Sequence, residues 1–134
     1  MKKFAILAFV IGFIGISVMA SENYAKAEEL FKASKYEAAY GLYDRACGEG
    51  IKRACTMNGI LLFNGDGVKK DKVHAEQIFT KMCDDNEPMA CSKLGEMYAF
   101  GSGKEKVKDE SKVRALFKKS CDGGYEPACV FANK

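Results

Sequence analysis

Six cysteines carry the most distinctive chemistry in this chain, and they occur as three pairs. The pairs are Cys47 with Cys55, Cys83 with Cys91, and Cys121 with Cys129. Seven residues separate the members of each pair. Structural zinc sites favour cysteines with about two to four residues between them, and thioredoxin-like redox sites use Cys-x-x-Cys. The spacing therefore favours disulfide bonds over a metal site or a redox centre.

The cysteine pairs belong to an internal repeat, because successive pairs lie 36 and then 38 residues apart. Small residues recur in the same register. Ala54, Gly59 and Gly65 match Ala90, Gly95 and Gly101. Self-similarity at such a period is typical of a solenoid of stacked structural units.

Each unit is predicted to consist of a helix, a Gly-rich loop, a second helix and a short turn. Ala90, Leu94 and Tyr98 recur every four residues and form one apolar helical face. Pro88 suits the first turn of that helix, and Asp109 suits the N-cap of the next one. No segment alternates convincingly with a period of two, so an all-α fold is expected. The predicted helices are Ser21–Ala33, Tyr36–Cys47, Lys52–Asn64, Asp71–Cys83, Pro88–Phe100, Asp109–Cys121 and Pro127–Ala132.

In this arrangement each cysteine pair brackets a turn between helices. The first member ends one helix and the second lies in the first turn of the next. The repeat selects the local pairing Cys47–Cys55, Cys83–Cys91 and Cys121–Cys129. Each bridge would tie the second helix of one repeat to the first helix of the following repeat. It would close a loop of about nine residues, worth roughly 2–3 kcal/mol in the chain-entropy model.

The first twenty residues have the pattern of a secretory signal peptide. Lys2 and Lys3 precede an almost wholly apolar run, Phe4–Val18, and Ala20 ends a Val-Met-Ala cleavage site. An uncleaved anchor is the alternative, but the apolar run is short for a membrane span of about 20 residues. We therefore expect a periplasmic or secreted protein that is not held in the membrane after cleavage.

Residues 21–134 are then predicted to form one domain of helical repeats. Its units lie at about 21–51, 52–87 and 88–126, with a C-terminal helix at 127–134. Removing two lysines from the 21 basic residues leaves 19, against 18 acidic ones, for a net charge of +1. Such a balance does not suggest electrostatic binding to nucleic acid.

Two further features are of a kind that can form ligand sites. The glycines of Gly65-x-Gly67 and Gly101-x-Gly103 resemble a phosphate-binding loop, but such a loop needs a preceding strand and a following Lys-Ser or Lys-Thr. His74 is the single histidine and falls on the exposed part of a predicted helix. No metal or cofactor is therefore expected, and the glycines are expected to take left-handed backbone angles in turns.

The segment Ala90–Gly103 resembles the Sel-one-like repeat, a relative of the tetratricopeptide repeat (TPR). It reads Ala-Cys-x-x-Leu-Gly-x-x-Tyr-x-x-Gly-x-Gly. The Cys-x7-Cys pairs and the signal peptide look like those of the Helicobacter cysteine-rich protein family. The preceding repeat is looser, with Asn58 and Leu62 in place of Leu94 and Tyr98. The resemblance implies a right-handed α/α solenoid with disulfides between adjacent helices.

The same resemblance implies two functions of different classes. Sel-one-like proteins generally act as adaptors for other proteins, whereas several members of the cysteine-rich family are described as penicillin-binding proteins or weak β-lactamases. A serine β-lactamase uses Ser-x-x-Lys and Lys-Thr-Gly motifs, and neither occurs in this chain. No catalytic residue is therefore assigned. An exported adaptor without chemistry is the preferred interpretation, and β-lactam binding or slow hydrolysis is the alternative.

A ligand surface is expected on the first helix of each repeat, because solenoids usually bind along a concave face lined by equivalent helices. The candidate residues lie off the predicted core stripe. They are Thr56, Met57 and Ile60 in one unit, and Ser92, Lys93 and Glu96 in the next. Exposed apolar side chains beside polar ones suit a protein or peptide partner, or a cell-wall fragment. Scattered apolar residues on an ordinary surface would give the same pattern.

Overall fold

A computed structural model of the chain describes residues 22–102 and 109–133, and its regular elements there are all helical. The predicted signal peptide and Gly103 lie outside the described residues. Helix α1 covers residues 22–32, and a 3₁₀ turn, Glu126–Ala128, precedes the last helix. The other helices are α2 Tyr36–Gly48, α3 Lys52–Asn64, α4 Lys72–Asp84, α5 Pro88–Ala99, α6 Glu110–Asp122 and α7 Cys129–Ala132.

Local sequence signals account for the helix ends. The Asp71 side chain accepts a hydrogen bond from the backbone N–H of His74, and Asp109 caps α6 in the same way. Gly65 ends α3 in the left-handed conformation with φ 76°, and Gly101, one repeat later, has φ 64°. The predicted helices are confirmed to within a residue or so, except that the C-terminal segment starts as the 3₁₀ turn around Pro127.

Successive helices pack against one another in chain order, and α3 also contacts α5. The first helices of the repeats are therefore covered on several sides. Residues Ala54–Gly59 of α3 are buried without a break, as expected for a helix with neighbours around most of its circumference. By contrast, α6 fully buries only Phe117 and Ser120. The predicted solenoid of two-helix repeats is confirmed.

The turns that join one repeat to the next share one geometry. A residue with positive φ stands at the same register position in all three: Gly50 (97°), Asn86 (64°) and Gly124 (100°). Glycine adopts such angles without steric cost, and asparagine tolerates them better than most residues. The next backbone N–H then reaches back to the helix just ended, as from Glu87 to the carbonyl of Met82 (2.9 Å). This tight reversal brings the two cysteines of a pair together.

All three predicted disulfides are present. They join Cys47 to Cys55, Cys83 to Cys91 and Cys121 to Cys129, with Cα–Cα distances of 4.6–4.7 Å. Each one links the end of a second helix to the following repeat, as expected. The central bridge is buried, whereas Cys47, Cys121 and Cys129 are partly exposed.

None of the helices among the described residues is both long and apolar enough to cross a membrane.

Candidate functional site

A pocket with a volume of about 240 Å³ opens between α3 and α5, and we name it the α3–α5 pocket. The first helices of two consecutive repeats form its opposite walls. Phe79 of α4 lines the bottom of the pocket, and residues at the end of α5 form its rim. The lining residues are Ile60, Phe63, Asn64, Phe79, Lys93, Glu96, Met97, Phe100 and Ser102.

Aromatic and apolar side chains dominate the pocket. Phe79 and Met97 are buried, with 1% and 2% of their surface exposed, and belong to one core cluster. Ile60 and Phe63 pack against that cluster from α3. Phe100 is different, because 84% of its surface is exposed. The pocket therefore combines rigid inner groups with one ring that has almost no support from the core.

The charges on the pocket are paired with each other. The Lys93 Nζ donates to Glu96 Oε2 at 2.9 Å, on the exposed side of α5. The Lys72 ammonium lies 5.1 Å from the centre of the Phe63 ring, in a cation–π contact behind the pocket wall. The Ser102 hydroxyl donates to the Met97 carbonyl at 3.2 Å. The rim is thus polar but nearly neutral.

Three of the six predicted ligand residues meet in this pocket. Ile60, Lys93 and Glu96 line it. The expectation of surface exposure was wrong for the other three, since Thr56, Met57 and Ser92 are 0%, 8% and 3% exposed. Periodicity within one helix identifies the face turned to its own partner helix. It does not show that the next repeat covers a second face.

Contacts at Thr56 show how the start of α5 covers this second face of α3. Glu87, the N-cap residue of α5, is 5% exposed and accepts a hydrogen bond from the Thr56 hydroxyl at 2.6 Å. The same carboxylate accepts the backbone N–H of Ala90 and pairs with Arg53 Nε at 3.1 Å. Met57 packs into the same core cluster as Met89 of α5. These residues hold two repeats together instead of facing a ligand.

Sequence reasoning missed the aromatic members of the pocket. Phe63 follows Ile60 by three residues, and Phe100 follows Lys93 by seven and Glu96 by four. Residues at these spacings share a helix face. The signal was therefore available as a second face, separate from the stripe of Ala90, Leu94 and Tyr98.

The first helix is attached to the array by tyrosines. The Tyr43 hydroxyl donates to Glu28 of α1 at 2.6 Å, and the Tyr24 ring lies 6.0 Å from that of Tyr43. Burial raises the pKa of Tyr24 to about 12, and the nearby negative charge of Glu28 adds to the effect. Burial and the hydrogen bond to Glu28 likewise raise the pKa of Tyr43. Both phenols are therefore held in their neutral form, as structural groups.

The described residues form a solenoid of stacked two-helix repeats, which is the fold of Sel-one-like repeat proteins. The family model described as "Sel1 repeat" matches residues 52–87 and 88–125, which is more than half of the chain. The chain belongs to the Sel1 repeat family.

Solved structures with the same architecture include three bacterial proteins. Helicobacter pylori cysteine rich protein B has a TM-score of 0.65 and 26% identity, and the match covers 92% of each chain. A protective antigen of uropathogenic Escherichia coli with an SLR fold gives 0.74 at 23% identity, covering 85% of this chain and 25% of that one. A Sel1 repeat protein from Oxalobacter formigenes gives 0.65 at 18% identity, covering 91% and 97%.

Curated relatives match over shorter parts of their own length. Cytochrome c oxidase assembly factor 7A from Xenopus laevis is 29% identical over 103 residues, which are 73% of this chain and 44% of that protein. The Helicobacter pylori protein HcpE, whose name describes a candidate beta-lactamase, is 36% identical over 45 residues, or 34% of this chain and 13% of its own. The chain thus spans less than half the length of these relatives.

Proposed function

We propose that this protein is an exported, disulfide-stabilised adaptor that binds a segment of a partner protein in the α3–α5 pocket. The observation that carries the proposal is the pocket itself, with the exposed ring of Phe100 at its edge. Phe100 extends the apolar lining of the pocket to its mouth, and contiguous exposed apolar surface is a mark of interaction sites. Such residues often supply most of the binding energy of an interface.

The size and lining of the pocket favour a protein segment over other ligands. Its volume of about 240 Å³ is below the roughly 300–1,000 Å³ of usual small-molecule sites, and suits one large side chain. A cell-wall fragment rich in hydroxyl groups would need several hydrogen-bonding partners. Ile60 and Phe63 supply apolar surface instead, and the buried side chains of Phe79 and Met97 support them.

Export is supported by the chemistry of the cysteines. Three disulfides among the described residues are typical of an oxidising compartment. The N-terminal pattern Lys2–Ala20 agrees with passage through a secretory pathway. The two observations together support the proposed periplasmic or secreted location.

A second candidate function, β-lactam binding or slow hydrolysis, is favoured by the 45-residue similarity to HcpE. Within the α3–α5 pocket the two groups nearest to such chemistry are already engaged. Ser102 donates to a backbone carbonyl, and Lys93 pairs with Glu96. Nucleophilic catalysis needs a nucleophile beside its general base, so we rank this function second.

The proposal is tested by replacing the exposed ring. Purified wild type, Phe100→Ser and Val73→Ser are used to capture proteins from a cell-envelope extract of the source organism, with thermal melts in parallel. Val73 is the matched control, because it is an apolar residue, 50% exposed, on α4 and outside the pocket.

We expect a protein retained by wild type and by Val73→Ser to be lost from Phe100→Ser. An anchor residue typically contributes about 2 kcal/mol, or roughly thirtyfold in affinity. The melts should agree closely, since Phe100 contributes little to the core. Equal capture by all three proteins, or no capture by wild type, would contradict the proposal.

A further inference from the structure

We infer that the α3–α5 pocket selects an uncharged aromatic side chain, phenylalanine or a similar ring, from the bound segment. This inference rests on the proposed function and adds the chemistry of the anchor. It is drawn from the type of groups that surround the space and from the way their charges are satisfied.

Three phenylalanine rings line the pocket, and each has a different role. Phe79 forms the floor and is held under α3, where its ring packs against Gly59. Phe63 forms a wall, and its ring also contacts the Lys72 ammonium, which is not among the lining residues. Phe100 stands at the mouth with 84% of its surface exposed, so its ring is free to turn onto a bound group. Rings in offset or edge-to-face contact gain attraction beyond that of burial alone.

The sulfur of Met97 strengthens the same preference. Met97 lines the pocket and is 2% exposed, so its side chain is held in the inner wall, beside the space that a bound ring would fill. Thioether–aromatic contacts are favourable, with the sulfur typically near the ring edge. A leucine side chain would fill the space but would make neither of these interactions.

The pairing of the charges at the rim favours an uncharged anchor. Lys93 and Glu96 neutralise each other at 2.9 Å, and the remaining lining offers no net charge to a ligand. A buried lysine, arginine or carboxylate of the partner would lose its hydration without gaining a counterion. Ser102, which already donates to Met97, and the exposed amide of Asn64 leave room for polar backbone atoms at the rim.

The test uses three pentapeptides with blocked ends. Each has two glycines on either side of a central residue, which is phenylalanine, leucine or glycine. Binding to the full oxidised protein is followed by NMR, through the methyl signals of Met97 and Ile60. The phenylalanine peptide should bind about two- to tenfold more tightly than the leucine peptide, the size of one or two aromatic contacts. The glycine peptide should leave both signals unchanged.

Two variants test whether Phe100 contributes to the preference for phenylalanine over leucine. Phe100→Ala should lower the phenylalanine-to-leucine affinity ratio, because one of the rings that contact the anchor is lost, whereas Val73→Ala should leave the ratio as in wild type. Equal or tighter binding of the leucine peptide to wild type would overturn the aromatic preference while leaving a ligand-binding pocket in place. If neither the phenylalanine peptide nor the leucine peptide shifts the Met97 and Ile60 signals, the pocket binds no side chain. Both this inference and the proposed function then fail.

Discussion

The same substitution, glycine to alanine, is expected to have different effects on stability at equivalent positions of two consecutive repeats. Gly59 in α3 and Gly95 in α5 are 36 residues apart and occupy one register position. A Cβ atom built on Gly59 would lie 2.6 Å from Cε1 of Phe79. At Gly95 the nearest atoms, on Leu116 and Phe117, are 3.4 Å away, which is ordinary van der Waals contact.

The magnitude follows because the helix-propensity gain is common to both variants. Alanine is favoured over glycine inside a helix by about 1 kcal/mol. At Gly59 the Phe79 ring must move, although it is only 1% exposed, and such overpacking costs about 1–3 kcal/mol. Gly95→Ala should therefore be neutral or more stable than wild type by up to about 1 kcal/mol. Gly59→Ala should be about 1–3 kcal/mol less stable than Gly95→Ala.

Urea unfolding of the purified oxidised proteins, followed by far-UV circular dichroism, measures the free energy of unfolding of each alanine variant and of wild type under the same conditions. A thermal melt should show the same order, with the midpoint moving by about 4 °C per kcal/mol for a domain of this size. The reasoning is refuted if the two alanine variants have equal stability, because the close approach of Gly59 to Phe79 would then carry no energetic weight.

Three other outcomes are expected. Glu87→Gln should lower the free energy of unfolding by about 1–3 kcal/mol, because it weakens the hydrogen bond from Thr56, the cap of α5 and the ion pair with Arg53 together. Urea unfolding measures this change. The control variant Glu126→Gln, at an exposed glutamate, should have nearly the stability of wild type. Tyr24 has a pKa near 12 in the folded protein against an ordinary value of 10.0, so its stabilising contribution is complete below pH 10 and is lost as the pH rises from 10 towards 12. Tyr24→Phe should accordingly show a smaller alkaline loss of stability than wild type, and equal pH profiles would argue against the assignment. Nitrocefin hydrolysis by the pure protein should stay far below about 1 s⁻¹, the low end of ordinary enzymes, and turnover at that rate would place the protein among the β-lactamases.

The parts of the fold that depend on local signals were predictable from the sequence. Asp71, Asp109 and Pro88 mark helix starts through their own backbone chemistry, and the regular cysteine spacing specifies the three bridges. The two cysteines of each pair are eight positions apart in the sequence, so the short turn between the helices is enough to bring them together. These features need no knowledge of distant residues.

The pocket was only half predictable, because its composition depends on contacts between repeats. Thr56 and Met57 look like surface residues in α3 alone, but Glu87 and Met89 reach them from the next repeat, about 30 residues along the chain. Phe100 was included in a predicted helix, yet its exposure follows from its position just after α5, where the chain leaves the core. Burial by a neighbouring helix requires the geometry of the superhelix, which repeat spacing alone does not provide.

The claim that a partner protein occupies the α3–α5 pocket is tested most directly by crosslinking from its rim. A photoreactive phenylalanine analogue is introduced at Phe100 or, as a control, at Val73, in protein produced by the source organism, and the cells are irradiated. The proposal predicts a discrete protein adduct from the Phe100 position that is absent from the Val73 position and is suppressed by Ile60→Ser in the pocket wall. The absence of any adduct at Phe100, or an identical set of adducts from both positions, would contradict the assignment of the pocket as the binding site.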